Sequence, residues 1–315
     1  MRAVIELPTI AIFTIVAGSL IIFFFFSLSQ SQSAGAEKAA QAKSLNFLDT
    51  LVKTSATARN TANNISIVDD TLLFMCDDSG MRFGYESHVE MYFHNMVIFS
   101  PRQLRGGTLL VYSRGADVPY RSTNILYMTT PAYIVENATN LYEFPFKTVP
   151  INPPSRNDKR RTVINWDQRN SYPPTVLQNL VIVQEVADEE YGSVIYPGTG
   201  PIAGRTVWYP NREFLYGAIL SADKKSYDCV LNAYFRQLLF TNELQANRAA
   251  LLKTDGPSVC YDKYQLSAFA DIQEVASLGA AGFGQAEADK LSKAIKKIEF
   301  TNYDLIRGDN CPAIY

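Results

Sequence analysis

Leu7 to Leu28 reads LPTIAIFTIVAGSLIIFFFFSL and contains no charged residue. At about 1.5 Å of rise per residue, some 20 apolar residues cross the roughly 30 Å hydrocarbon core of a bilayer, and this run reaches that length. Pro8 falls in the first turn, where its missing N–H removes no helical hydrogen bond. The segment therefore predicts a transmembrane helix. Arg2 lies on the short side, so the positive-inside rule places the N-terminus in the cytoplasm and the long C-terminal part outside. The rival reading is a cleaved signal peptide, for which Ala34-Gly35-Ala36 has the small-residue form. The apolar run exceeds the usual core of about 7–15 residues, and a Ser/Gln-rich patch intervenes, so an uncleaved anchor is the expectation. No other segment of the sequence is long and apolar enough to span.

The helical pattern continues past the polar patch Ser27–Ser33. The stretch AEKAAQAKSLNFLDTLVKTSATA is rich in helix formers and free of proline. Ala34, Leu45, Leu48, Leu51, Val52 and Ser55 fall near i, i+3, i+4, i+7 spacing, with Lys38, Lys43, Asp49 and Lys53 between them. That pattern lays one stripe on a partner surface. One helix from residue 7 to 59 would be about 75–80 Å long, a stalk whose upper half packs on the domain it carries.

Val4-Ile5-Glu6-Leu7 ahead of an apolar helix resembles the start of type IV pilins and their archaeal relatives. Counted from Arg2, Glu6 is the fifth residue, the place of the glutamate in the processed subunits of that family. The resemblance covers the first 60 residues or so. It implies that Glu6 pairs with the amino terminus of a neighbouring subunit, and that the chain self-associates or joins other surface subunits through its N-terminal helix. A carboxylate at the start of a membrane helix needs a cationic partner, which fits that role. The plainer reading makes Glu6 an interfacial residue near the lipid headgroups. The layout as a whole, with its closing Asn310-Cys311-Pro312, is also similar to membrane-anchored surface proteins of archaea.

The remainder reads as a folded domain. Of 315 residues, 47% are hydrophobic and 19% charged, which excludes a disordered chain. The net charge of −2 is spread without runs, and Lys159-Arg160-Arg161 stands alone, so no nucleic-acid footprint is present. Asn60–Asp70 reads as a break after the helix. Short β-like runs follow at Thr71–Cys76, Tyr92–Ser100, Thr108–Ser113 and Asn124–Thr130, then at Val176–Val186, Gly192–Pro197 and Gly204–Pro210. Between them, proline-rich Tyr142–Tyr172 reads as an irregular surface excursion. Tyr227–Lys253, Tyr261–Leu278 and Gln285–Arg307 have helical periodicity, with Gly279–Gly284 (GAAGFG) as a hinge. Strands first and helices later predict an α+β fold: a transmembrane and stalk helix over residues 1–60, then a mixed-sheet domain over 61–315. That domain is strand-rich at 70–220 and helix-rich at 226–310, with its C-terminal helices packed on the sheet.

Four cysteines, an even number on the outer side, predict two disulfides, and three pairings are open. Cys229 begins the first late helix and Cys260 follows its end. In an up-down-up arrangement of three helices Cys260 meets Cys311, leaving Cys76 for Cys229. Asn64-Ile65-Ser66 and Asn137-Ala138-Thr139 are glycosylation sequons.

Catalytic patterns are weak. His88-x-Glu90-x-x-x-His94 holds both histidines, and on a strand the three side chains share one face. Metal chemistry there would make the chain an ectoenzyme, but no recognised ligand spacing is present. Gly198–Gly204 lacks the Lys-Ser/Thr ending of a phosphate loop and reads as a hairpin turn. Asp69-Asp70 and Asp77-Asp78-Ser79-Gly80 lack full calcium-loop spacing and read as solvated turns. No GxSxG occurs. The expectation is a structural or adhesive, pilin-like surface subunit with no catalytic residue, metal or cofactor, whose partners are membrane lipid and other subunits. A membrane-tethered receptor or envelope protein that forms no filament is the alternative.

Overall fold

The computed structural model describes residues 6–57, 61–67, 71–77, 80–85, 90–93, 96–104, 107–117, 119–129, 133–136, 147–150, 161–165, 180–186, 189–196, 205–221, 223–255, 260, 263, 264, 266–307 and 311–315. The first element is α1 (Glu6–Thr57). The side chains of residues 6–18, and of several later α1 residues, fall outside the description. Among the described residues no helix is long and apolar enough to cross a membrane. The upper part of α1 is part of the core: Gln41, Leu45, Leu48 and Val52, one stripe at i, i+4, i+7, i+11, are each at most 2% exposed.

Three sheets are built from the described strands. The first has the order β1 (Thr61–Ile67), β7 (Gly107–Asp117), β8 (Arg121–Thr129), β5 (Val97–Phe99). It is antiparallel except where β5 runs parallel to β8. The second, antiparallel throughout, has the order β4 (Glu90–Phe93), β3 (Gly80–Tyr85), β2 (Leu72–Asp77), β6 (Gln103–Leu104). The third runs β10 (Lys147–Pro150), β11 (Arg161–Asn165), β9 (Tyr133–Glu136), β12 (Leu180–Glu185), β13 (Gly192–Tyr196), β14 (Arg205–Tyr209), with β9 and β12 parallel. The helices α2 (Arg212–Ser221), α3 (Lys224–Asp255), α4 (Ser267–Leu278) and α5 (Gln285–Arg307) close the chain.

The first sheet is covered on both faces. Residues 124–129 of β8 are all buried, and successive strand residues point to opposite sides, so both sides must be packed. On one side Tyr127 donates from its hydroxyl to the Glu213 carbonyl of α2 at 2.7 Å. Alternation leaves Leu126 and Met128 for the other side, and α1 packs against β7 and β8. Tyr85 of β3 reaches α1 as well, donating to Ser44 Oγ at 3.1 Å.

At the centre lies α2, in which Phe214 to Ser221 are all buried. Asn211 caps it, accepting from the Phe214 N–H at 3.2 Å. The helix touches β5, β8, β13, β14 and α3, joining the first sheet to the third. Its contact with β5 is close: a Cβ on Gly217 would stand 2.6 Å from the Phe99 ring. That ring also stacks on Tyr127 at 6.1 Å and on Tyr227 at 5.7 Å, and meets Phe214 edge-on at 5.7 Å.

Several expectations are corrected. Asn60–Asp70 is not simply a break, because Thr61–Ile67 forms β1, paired with β7 from Thr61↔Ser113 to Ile67↔Gly107. Its polar sequence hid it, and an edge strand with one neighbour tolerates such polarity. Tyr142–Tyr172 is not wholly irregular, since it contains β10 and β11. Pro150 ends β10, an edge strand of the third sheet among the described residues, which is where proline is tolerated in a sheet. Tyr92–Ser100 is split between β4 and β5, in different sheets. The second late helix starts at Ser267, not Tyr261, because Cys260 is bonded to Cys311 and the Tyr264 hydroxyl donates to the Pro312 carbonyl at 2.9 Å. The hinge holds Gly279 at φ 67° and a single 3-10 turn, Ala280–Gly282.

Gly217→Val should lower the unfolding free energy of the full chain by about 1–3 kcal/mol, the usual range for overpacking a close-packed core. Urea unfolding followed by tyrosine fluorescence in detergent reads this, and an unmoved midpoint would show that α2 does not lie against Phe99.

Candidate functional site

Asp223 caps α3 through two bonds at 2.8 Å, accepting from the Ser226 N–H and from the Ser226 hydroxyl. The helix that follows puts Lys225, Cys229, Asn232 and Arg236 on one stripe at i, i+4, i+7 and i+11. These residues form one wall of an open cleft of about 730 Å³. Cys76 and Asp77 of β2 face them from the second sheet, and Ala276, Ser277 and Gly279 close the far side at the end of α4. The Cys76–Cys229 disulfide, with Cα atoms 5.9 Å apart, holds β2 against α3. On the far side Asn232 Oδ1 accepts from the Ala280 N–H at 2.7 Å. A side chain at Gly279 would put its Cβ 2.8 Å from that oxygen.

The two carboxylates that line the cleft each lie near a cation, and Arg82 is shared between Asp77 and Glu90. Lys224 Nζ lies 2.8 Å from Asp228 Oδ2, and Arg82 lies 3.3 Å from Asp77. Burial pushes the Asp228 carboxyl above the usual range, with the Lys224 hydrogen bond and charge pulling it back. Lys225 and Arg236, both exposed, form no ion pair among the described residues. The site thus presents two uncompensated cations around a side-chain amide, a binding arrangement for anionic groups.

The residues singled out from sequence fall elsewhere or into structural roles. Glu6 is the first described residue of α1, and its side chain lies outside the description. His88 and His94 lie outside the described residues. Glu90, on β4, stands 3.6 Å from Arg82 and accepts from the Tyr92 hydroxyl at 3.2 Å. Asn64 sits inside β1, opposite Leu110, and Asn137 lies outside the described residues. So do Gly198–Gly204, though the flanking strands pair antiparallel, with Tyr196 opposite Arg205. Asp69, Asp70 and Asp78 are likewise outside, while Asp77 pairs with Arg82. Among the described residues no group of three or more His, Cys, Asp or Glu is placed to hold a metal ion.

The cysteines are bonded as Cys76–Cys229 and Cys260–Cys311, the two pairs that the three-helix geometry gives. Nothing in the sequence reading pointed to the cleft. Its signal was the spacing of Lys225, Cys229, Asn232 and Arg236, one cysteine between two cations on a single helical stripe.

No protein-family model matches the chain, and no curated protein or solved structure matches it.

The two disulfides differ in access. Cys260 and Cys311 are 1% and 6% exposed, whereas Cys76 and Cys229 are partly exposed and line the open cleft. Graded reduction with a phosphine, followed by alkylation and peptide mass mapping, should open Cys76–Cys229 first, because exchange requires access to sulfur. Reduction of Cys260–Cys311 first would contradict the burial order.

Proposed function

We propose that this chain is a membrane-anchored surface subunit of pilin-like build, held or assembled through α1 and displaying an extracytoplasmic α+β head. One contrast along α1 carries the reading. Ile22, Phe23, Phe24 and Phe26 are 62–71% exposed, whereas Gln41, Leu45, Leu48 and Val52 are at most 2% exposed. Large apolar side chains on successive helix positions face all round the helix, so no single stripe on a partner can cover them. They call for lipid or for a sheath of neighbouring apolar helices. Read with the uncharged run Leu7–Leu28, the lower part of α1 is the transmembrane anchor and its upper part the stalk that enters the head. Two disulfides fit an oxidising compartment and so support a head outside the cytoplasm; Arg2 and the positive-inside rule support an N-terminus inside. The sequons at Asn64 and Asn137 would then stand in the part of the chain that faces a glycosylating compartment.

In this reading Glu6 makes the contact between subunits, its carboxylate answering the amino terminus of a neighbour within the apolar sheath. The competing reading is a tethered binding protein, favoured by the cleft beside Cys229, in which α1 serves only to hold the head at the membrane.

Shear fractionation of cells, with detection by an antibody to the head, separates the two. The subunit reading expects recovery in the sheared filament fraction and a severalfold loss there for Glu6→Ala, with the head still disulfide-bonded. Retention of the wild-type chain wholly in the membrane, or indifference to Glu6→Ala, would favour the tether.

A further inference from the structure

We propose that the cleft between β2, α3 and the end of α4 binds an acidic peptide segment in extended conformation, clamped at two points by Lys225 and Arg236. The two cations are eleven residues apart on α3, about three helical turns or 16 Å along the axis. Lys224 holds Asp228 on α3 itself, and the other two cations of this wall, Lys225 and Arg236, form no ion pair among the described residues. An extended chain advances about 3.3 Å per residue, so carboxylates about five residues apart span the same distance.

Between the cations, Asn232 has its carbonyl oxygen engaged by the Ala280 N–H. Its amide nitrogen has no partner among the described residues and can donate to a peptide carbonyl. Leu239, partly buried, lies about one turn beyond Arg236 and offers apolar contact to a side chain just past the second acid. An acidic glycan fits less well. Sugar rings are held by stacking on exposed aromatic faces, and the one aromatic among the described residues lining the cleft, Phe235, is 1% exposed with its ring turned onto Tyr234 and Phe283. The cleft's volume, about 730 Å³, suits a short segment and not a folded partner. The inference stands whether α1 assembles filaments or only tethers the head.

The test uses the full-length chain in detergent and fluorescence polarisation of a labelled hexapeptide with aspartate at both ends and neutral residues between. The acidic peptide should bind about tenfold more tightly than its asparagine analogue at low salt, as charge-assisted bonds at both ends require. Lys225→Gln and Arg236→Gln should each remove most of that preference, and Lys253→Gln, at the other end of α3, should leave it intact. Both cleft cations are exposed, and retained helicity by circular dichroism would show that the variants are folded. Equal binding of the two peptides, no binding, or a preference that survives both substitutions would overturn the proposal. Displacement by inorganic phosphate at the same concentration as by free peptide would reduce the site to a simple anion site and overturn the two-point clamp. Tighter binding of an oligogalacturonate than of the peptide would overturn the choice of ligand class.

Discussion

The sheets are packed around the upper part of α1. Leu45, Leu48 and Val52 of α1 are buried in the same core cluster as β7, β8 and β3. Each such side chain contributes about 1.5–3 kcal/mol when fully removed from water. Three of them together approach the whole net stability of an ordinary domain, about 5–15 kcal/mol. Gln41, 1% exposed, extends the stripe downward, and the Tyr85–Ser44 hydrogen bond locks it laterally. The upper part of α1 is thus tied to the sheets by apolar burial and by a hydrogen bond.

Behind that seam, on the opposite side of β8, the second constraint is α2. A short helix buried on every side offers no polar face, so its polar surroundings come from tyrosines on neighbouring elements. Tyr127 donates to the Glu213 carbonyl, and Tyr196 donates to the Ala218 carbonyl at 2.5 Å. Nearby, Tyr227 donates to the Trp208 carbonyl at 3.0 Å. Burial pushes the Tyr127 and Tyr227 hydroxyls well above their ordinary pKa, so they stay neutral donors. Part of the high tyrosine content of the chain is thereby accounted for: these rings fill the core while their hydroxyls satisfy backbone carbonyls. Arg114 and Glu213, 3.1 Å apart and shielded by this cluster, tie β7 to the start of α2.

What was legible in the sequence was whatever carried a strong period or a covalent constraint. Gln285–Arg307 was delimited by its amphipathic spacing and by Gly284, whose N–H donates to Glu287 Oε2 at 3.0 Å in the manner of a capping box. The strands β7, β8, β13 and β14 stood out by their β-branched and aromatic runs between turn residues. The helix α2 did not, because ten residues with an almost continuous apolar run have no period to read, and only Asn211 marked a start. The strand β1 was masked by its asparagines. The cleft was invisible for a different reason: its walls come from Cys76–Asp77, from α3 and from Ala276–Gly279, and only the tertiary fold brings them together.

The most direct measurement of the central claim is hydrogen exchange on the full-length chain in detergent, comparing wild type with Leu48→Asp. If the upper part of α1 belongs to the core, a buried aspartate there should strip protection from the amides of β7 and β8 as well as from residues 41–52 of α1. Protection of β7 and β8 unchanged from wild type, with loss confined to α1, would contradict it and leave the helix as a tether that merely rests on a self-sufficient head.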